Sequence, residues 1–244
     1  AQYLPADATM YFSINVEQLM KKGGYAELVK SPAFEAFAQG LANEPLEEIF
    51  RDPGALGIDL AQPIQIYLTM EPPAVGDPSG DLVVKGGLVA AVKDVAKVRG
   101  VLMGKMFVGE PRTIARNGYT AILPPDPGEG VVLGYSRDTL MLVFSSVEQN
   151  DSLMMGKLDA RFAGRNAVAQ GSNVAEMLRA RHDLALWLDF TQVMKMVPEV
   201  DAADLFAQGL LENMRYSVAL NFEDGSVDAD IVAYFDDALA VNFS

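Results

Sequence analysis

One segment of this chain occurs twice, and the repetition limits the folds that the chain can adopt. Residues 9–22, TMYFSINVEQLMKK, match residues 182–196, HDLALWLDFTQVMKM, at a constant offset of 174. In both copies alternating apolar residues run into an amphipathic helical pattern, which predicts a strand that leads into a short helix. Repetition of such a unit indicates a fold that is built from two related halves.

Two further matches follow in the same order in both halves. The sequence FAQGL stands at 37–41 and at 206–210, an offset of 169. VAAVKDVAKV at 89–98 resembles VAYFDDALAV at 232–241, an offset of 143. Because the offsets decrease along the chain, the second copy is expected to have shorter loops, where deletions are tolerated best.

These repeats predict an α+β fold of two related strand-helix-strand-strand units, with mostly antiparallel sheet and helices packed on one face. The first unit, residues 1–146, carries two added hairpins. The second, residues 147–244, consists of a helical connector and a truncated copy of the unit. The length also allows both units to form one continuous domain.

Apolar periodicity and capping residues place the individual elements. Period-two alternation predicts strands at 10–16, 64–70 and 82–93, with a loop rich in Pro, Gly and Asp at 71–81. Asn15, Asp94 and Ser172 are expected to cap helices. Helices are predicted over 16–22, 31–41, 43–50, 94–106, much of 147–181, and 192–214 with a break at Pro198.

Three dipeptides predict β-hairpins. Asn117-Gly118 separates two apolar runs and is the strongest short hairpin signal in the chain. Arg137-Asp138 lies between two further strand patterns, and Asp224-Gly225 closes the predicted hairpin of the second copy. The sheet is therefore expected to grow by antiparallel neighbours.

The composition excludes several classes of function. Thirty-three acidic and nineteen basic residues give a net charge of −14, and the longest basic cluster is Lys21-Lys22. Such a field repels phosphate backbones, so we expect no nucleic-acid binding. The absence of cysteine excludes disulfides, thiolate metal sites and a cysteine nucleophile. No apolar run is long enough to span a bilayer as a helix.

Candidate motifs for catalysis or binding are incomplete. His182, the single histidine, is interpreted as a residue at the edge of a strand. Ser136 lacks the second glycine of a nucleophile elbow because Asp138 occupies that position. The glycine pair at 100–104 lies in a helical pattern without the Ser or Thr of a phosphate loop, and the acids at 224–230 lack the Gly and Glu of a calcium loop. We therefore predict no catalytic, cofactor-binding or metal-binding residue.

Asp189 and Asn15 occupy equivalent positions in the two copies, as do Gln192 and Gln18. A paired polar site is one interpretation, but the repetition favours helix capping. We predict a non-enzymatic domain that binds a ligand or a protein or serves assembly. The alternative is a hydrolase in which carboxylates such as that of Asp189 act as acid or base.

Three motifs carry a resemblance to a known family, namely YLPADA at 3–8, GIDL-x-x-PI at 57–64 and the strand DLALWLDF at 183–190. In these motifs the chain resembles a group of uncharacterised bacterial envelope lipoproteins that share a domain of unknown function. This resemblance implies an exported protein, periplasmic or at the cell surface. It also implies a lipid anchor upstream of Ala1 as the sole contact with the membrane. The predicted binding function leaves the partner open, as an unknown protein or a small ligand. The start without methionine and the shortened second copy predict that the native protein extends beyond both ends of this sequence.

Overall fold

Ten antiparallel strands form a single sheet in a computed structural model of the chain. The structure describes residues 2–24, 27, 30, 52–72, 82–104, 106–107, 109–194, 214–223 and 226–235. The order of strands across the sheet is β10-β9-β8-β1-β2-β3-β7-β6-β5-β4. The strands are β1 Met10–Ile14, β2 Ile64–Glu71, β3 Val83–Ala91, β4 Arg112–Ala115, β5 Thr120–Leu123, β6 Val131–Tyr135, β7 Thr139–Ser145, β8 Leu184–Asp189, β9 Met214–Glu223 and β10 Ser226–Phe235. The protein is thus an α+β protein, as predicted, and its sheet dominates the described part of the fold.

The strands that begin the two sequence repeats, β1 and β8, are neighbours in the sheet. β1 pairs with β8, and Phe12 lies opposite Leu186. On one side Phe12 also lies opposite Ile66 of β2, and Ile66 lies opposite Leu88 of β3. On the other side the row continues from Leu186 through β9 to β10, with Val218 and Ile231 as the paired residues. Both halves of the chain therefore contribute to one continuous sheet.

Two of the predicted hairpins are confirmed. β4 pairs with β5 around the Asn117-Gly118 turn, where Gly118 has a positive φ of 86°. β6 pairs with β7 around Arg137-Asp138, and the Ser136 hydroxyl bonds the Asp138 carboxylate at 2.8 Å. β9 and β10 are paired as predicted, although the Asp224-Gly225 turn lies outside the described residues.

Short helices connect and cover the strands. Within the described residues these helices are α1 Val16–Lys22, α2 Val95–Gly104, α3 Asp151–Phe162, α4 Asn173–Arg179 and α5 Phe190–Met194, with a 3₁₀ turn at Pro53–Leu56. The three predicted caps are confirmed, because Asn15, Asp94 and Ser172 each accept a backbone N–H from the first turn of α1, α2 and α4 respectively. The predicted helices at 31–41 and 43–50 and most of that at 192–214 lie outside the described residues.

The described helices lie on both faces of the sheet, whereas the sequence predicted one face. Ala121 and Leu123 pack with α3 and α4 in one apolar cluster. Ile122, which lies between them in β5, packs with α2 in a second cluster. Successive residues of a strand point to opposite faces, so the two clusters are separated by the sheet. The periodicity of a helix shows that it has an apolar side but does not determine which face of a sheet that side covers.

Smaller boundary differences follow from local contacts. α2 ends at Gly104 and leaves Met106 exposed, although the sequence predicted a helix to that residue. The predicted strand 82–93 ends at Ala91, the last residue that pairs with β7, and Val92 forms only an isolated bridge with Ile58.

Candidate functional site

A cleft of about 610 Å³ lies between α3 and the sheet, and we call it the α3 cleft. Its volume lies within the range of about 300–1,000 Å³ that is typical of small-molecule sites. The sheet and the adjoining loop contribute Tyr67, Thr69, Glu71, Lys85, Val143 and Glu148. The helix contributes Ser152, Gly156, Lys157, Ala160 and Arg161, and the N-terminal segment contributes Pro5 and Asp7.

Contacts at both ends hold α3 above the sheet. At its start Asn150 accepts the N–H groups of Ser152 and Leu153, and Arg112 of β4 contacts Asp151 at 2.7 Å. Burial pushes the pKa of Asp151 upward, but hydrogen bonds from Arg112 and the Gly128 N–H outweigh it and hold this pKa below its ordinary value. Near its end Phe162 stacks on Tyr119, with 4.0 Å between ring centroids. The helix is thus fixed independently of the cleft.

Small side chains on the helix leave the cleft open. Ser152, Gly156 and Ala160 line it at intervals of four residues, so they lie on one side of α3. A Cβ atom built on Gly156 would meet no atom within 4 Å. This position is therefore open to a larger side chain that would occupy the cleft.

The Tyr67 ring forms part of the floor. It lies across Gly87 of β3, where a Cβ atom would be 2.6 Å from the phenol oxygen. Burial raises the pKa of Tyr67 to about 12, and the nearby positive charge of Arg161 opposes this rise only partly. The phenol therefore remains a neutral hydrogen-bond donor at physiological pH.

Most of the charges in the cleft are paired. Lys85 lies 2.8 Å from Glu71 and 3.8 Å from Glu148. Lys157 lies 2.6 Å from Glu148 Oε2, an atom that is buried without an aligned hydrogen bond, so the contact is an ion pair. These residues form an alternating chain of two carboxylates and two ammonium groups, which neutralises one end of the cleft.

Arg161 forms the other charged end of the cleft. Within the described residues, its Nη1 atom is buried and has no hydrogen-bond partner. Asp7 also lines the cleft, but it forms no ion pair with Arg161 among the described contacts. The cleft thus combines an apolar floor, a neutralised ion chain and one unpaired guanidinium group.

A larger cavity of about 790 Å³ lies beside α1. Three lysines and four acids line it together, namely Lys21, Lys93, Lys97, Glu17, Glu27, Asp59 and Asp94. Its residues Gly24 and Glu27 adjoin chain that lies outside the described part. The α3 cleft is therefore the candidate site.

The motifs weighed in the sequence do not converge on the α3 cleft. His182 lies just before β8, and its Nδ1 atom is 3.2 Å from Asn221. Ser136 lies in a turn, and Asp189 caps α5 by accepting the Thr191 N–H at 2.9 Å. Among the described residues, no cluster of His, Asp and Glu side chains has the arrangement of a metal site.

The residues that form the α3 cleft were not identified from the sequence. Tyr67 falls within the predicted strand 64–70 and Arg161 within the predicted helical segment 147–181, but neither residue was singled out. One signal was present, because Ser152, Gly156 and Ala160 repeat small residues at the helical spacing of four. That spacing indicates a flat helix face but does not distinguish close packing from a cleft.

The fold and the cleft define a sheet-dominated α+β protein with a ligand-sized cavity beneath one helix. The chain belongs to the family Domain of unknown function (DUF4836), whose model matches residues 1–242. This confirms the prediction of a family of unknown function. No curated protein matches the chain.

Solved structures of TP0453 are similar in fold. Its crystal form IV has a TM-score of 0.51 and 8% identity, and the match covers 95% of this chain and 78% of that chain. Crystal form I has a TM-score of 0.49 and 10% identity, covering 99% and 82% respectively. At these identities the first likeness shows the fold alone. Within the described part of the chain, every helix is too short or too polar to cross a membrane.

Proposed function

We propose that this protein is a non-enzymatic binding domain whose ligand site is the α3 cleft. The observation that carries the proposal is the open volume beside Gly156, which the surrounding packing leaves unfilled. The pairing of Glu71 and Glu148 with lysines favours binding over the alternative of a hydrolase. These carboxylates are occupied by the Lys85 and Lys157 ammonium groups and are therefore not placed to exchange a proton with a substrate.

A plugged cleft tests this function. N-phenyl-1-naphthylamine, a neutral dye that fluoresces in apolar sites, is titrated into the wild-type protein and into Gly156→Phe. The wild type should show saturable dye fluorescence. In Gly156→Phe the phenylalanine occupies the cleft, and the affinity for the dye should be at least tenfold lower. Gly100→Phe is the matched control, because Gly100 is also a helical glycine without neighbours within 4 Å of its Cβ position and lies in α2.

The control also accounts for dye on other apolar surfaces. Val227, Ile231 and Phe235 of β10 are exposed and offer a second place for a neutral dye. Dye bound there is expected to respond equally to both variants. Equal binding by wild type, Gly156→Phe and Gly100→Phe would therefore rule out the α3 cleft as the site.

We further propose that the sheet arose by duplication of a strand-helix-strand-strand unit, with units at 1–146 and 147–244. The register supports this origin, because Phe12 and Leu186 face each other and are equivalent under the sequence offset of 174. Leu88 of β3 and Ile231 of β10 each lie two strands away from this pair, on opposite sides, and they differ by the offset of 143 of the third match. If β1-β2-β3 failed to superpose on β8-β9-β10 in an experimental structure, the duplication would be contradicted.

We also propose that the native protein is exported and held at the periplasmic or outer cell surface by a lipid anchor upstream of Ala1. The resemblance to envelope lipoproteins supports this localisation. Metabolic labelling with a palmitate analogue and fractionation of the native cells test it. Unlabelled protein in the cytosolic fraction would contradict it.

A further inference from the structure

The Arg161 guanidinium is the feature of the α3 cleft that the fold does not account for. Its Nη1 atom is removed from water, and no described residue supplies an acceptor. A buried donor without an acceptor is destabilising, and the cost is larger for a charged group. Such groups are rare in folded proteins, and a bound water or ion that supplies the acceptor is one established explanation.

The other cations of the cleft do not share this property. Lys85 is held by Glu71 and Glu148, and Lys157 is held by Glu148. Arg161 follows Lys157 by four residues, so it lies one turn further along the same side of α3. Among the described contacts, Lys85 and Lys157 thus form ion pairs, whereas the charge of Arg161 is not balanced by one.

We infer that the α3 cleft binds an amphipathic organic monoanion, with its carboxylate or sulfonate on Arg161 and its apolar body over Tyr67 and beside Gly156. This inference rests on the proposed binding function and specifies its ligand class. A planar guanidinium group pairs well with a planar carboxylate through two parallel hydrogen bonds.

The surroundings of Arg161 favour a single negative charge. Lys85 and Lys157 are already paired with Glu71 and Glu148, and Asp7 adds a further negative charge, so Arg161 alone would have to offset the charges of a ligand with two or three of them. The Tyr67 phenol is a further neutral donor in the cleft. The apolar floor and the open space at Gly156 then accept the uncharged part of the ligand.

Two dyes of the same ring system test the inference. 8-Anilinonaphthalene-1-sulfonate carries a sulfonate that N-phenyl-1-naphthylamine lacks. We expect the wild type to bind the sulfonate dye about tenfold more tightly, the effect of one charge-assisted contact. Arg161→Gln should lose this tenfold preference and bind the neutral dye within about twofold of the wild type. Arg99→Gln is the matched control, since it removes the same charge from the exposed surface of α2.

The outcomes separate this inference from the proposed function. Absence of saturable binding of the neutral dye in the cleft overturns the function and the inference together. Binding of both dyes with equal affinity, unchanged in Arg161→Gln, overturns the anion site alone. Competition on the wild type tests the anion site without a variant. Octanoate should displace the neutral dye at about a tenth of the concentration that 1-octanol requires. Equal displacement by the two competitors would reject the anion site.

Discussion

Substitution of Gly87 by alanine is expected to destabilise the protein, although alanine is ordinarily the better strand residue of the two. A Cβ atom at this position would lie 2.6 Å from Tyr67 Oη and 2.7 Å from Tyr67 Cζ, and closer still to the backbone oxygen of Leu142. The tyrosine ring can shift, but the backbone oxygen belongs to the β3–β7 pairing and cannot move without disturbing the ladder. Overpacking of this kind costs about 1–3 kcal/mol.

The loss of glycine's flexibility in the unfolded chain offsets about 0.5–1 kcal/mol of this cost. Because the clash involves a backbone oxygen that cannot move, the cost lies in the upper part of that range, about 2–3 kcal/mol. The net loss should then be about 1–2.5 kcal/mol, which corresponds to a decrease in melting temperature of roughly 2–10 °C in a chain of this size. Urea denaturation of the variant measures it. Gly100→Ala is the control, because its Cβ would meet nothing within 4 Å and should raise the stability by about 0.5–1 kcal/mol. If both variants were equally stabilised, the close approach of Tyr67 and Leu142 to Gly87 would be wrong.

Three further predictions concern caps and charges. Asp189→Ala should lower the free energy of unfolding by about 1 kcal/mol as a lost helix cap, and a metal or substrate oxygen found on this carboxylate would show that its role is not structural. Hydrogen bonds from Ser136 and Thr139 hold the pKa of Asp138 below its ordinary value, so its ionised form is favoured in the folded state. The stability advantage of the wild type over Asp138→Asn should therefore be present at pH 7 and disappear as the pH falls through and below about 3.9. An advantage that increased in acid would mean that folding raises the pKa of Asp138 instead of lowering it. No shift of DNA or RNA is expected in a gel near physiological ionic strength, and retention that decreased with salt would contradict this.

The strands and turns were predictable from the sequence because their signals are local. Alternation at Met10, Phe12 and Ile14 requires only neighbouring residues, and the Asn117-Gly118 hairpin depends on two. The repeat offsets also relate residues that the sheet brings into one row, such as Leu88 and Ile231. The alternation and the repeat therefore predict much of the register in which the strands pair.

The cleft was not predictable because its parts meet only in the tertiary structure. Tyr67 and Arg161 are far apart in sequence, and each has an ordinary local pattern, as a strand residue and as a helical arginine. The prediction that helices pack on one face was wrong for the same reason. The apolar sides of α2 and α3 are alike in the sequence, yet Val98 packs against one face of the sheet and Leu158 against the other.

The charge of the whole protein gives the anion site a dependence on salt that differs from that of an ordinary cationic surface. A net charge of −14 repels an approaching monoanion, with an energy of about 3 kcal/mol at a distance of about 20 Å before screening. The Debye length falls from about 30 Å at 0.01 M salt to about 8 Å at 0.15 M, so salt weakens this repulsion more than it weakens a partly buried contact at Arg161. Stopped-flow association of 8-anilinonaphthalene-1-sulfonate should therefore become about threefold to fivefold faster between these salt concentrations. N-phenyl-1-naphthylamine, which carries no charge, should associate at a constant rate. An association rate of the sulfonate dye that decreased with salt would mean that it approaches a positive surface patch, and the assignment of its site to the α3 cleft would be wrong.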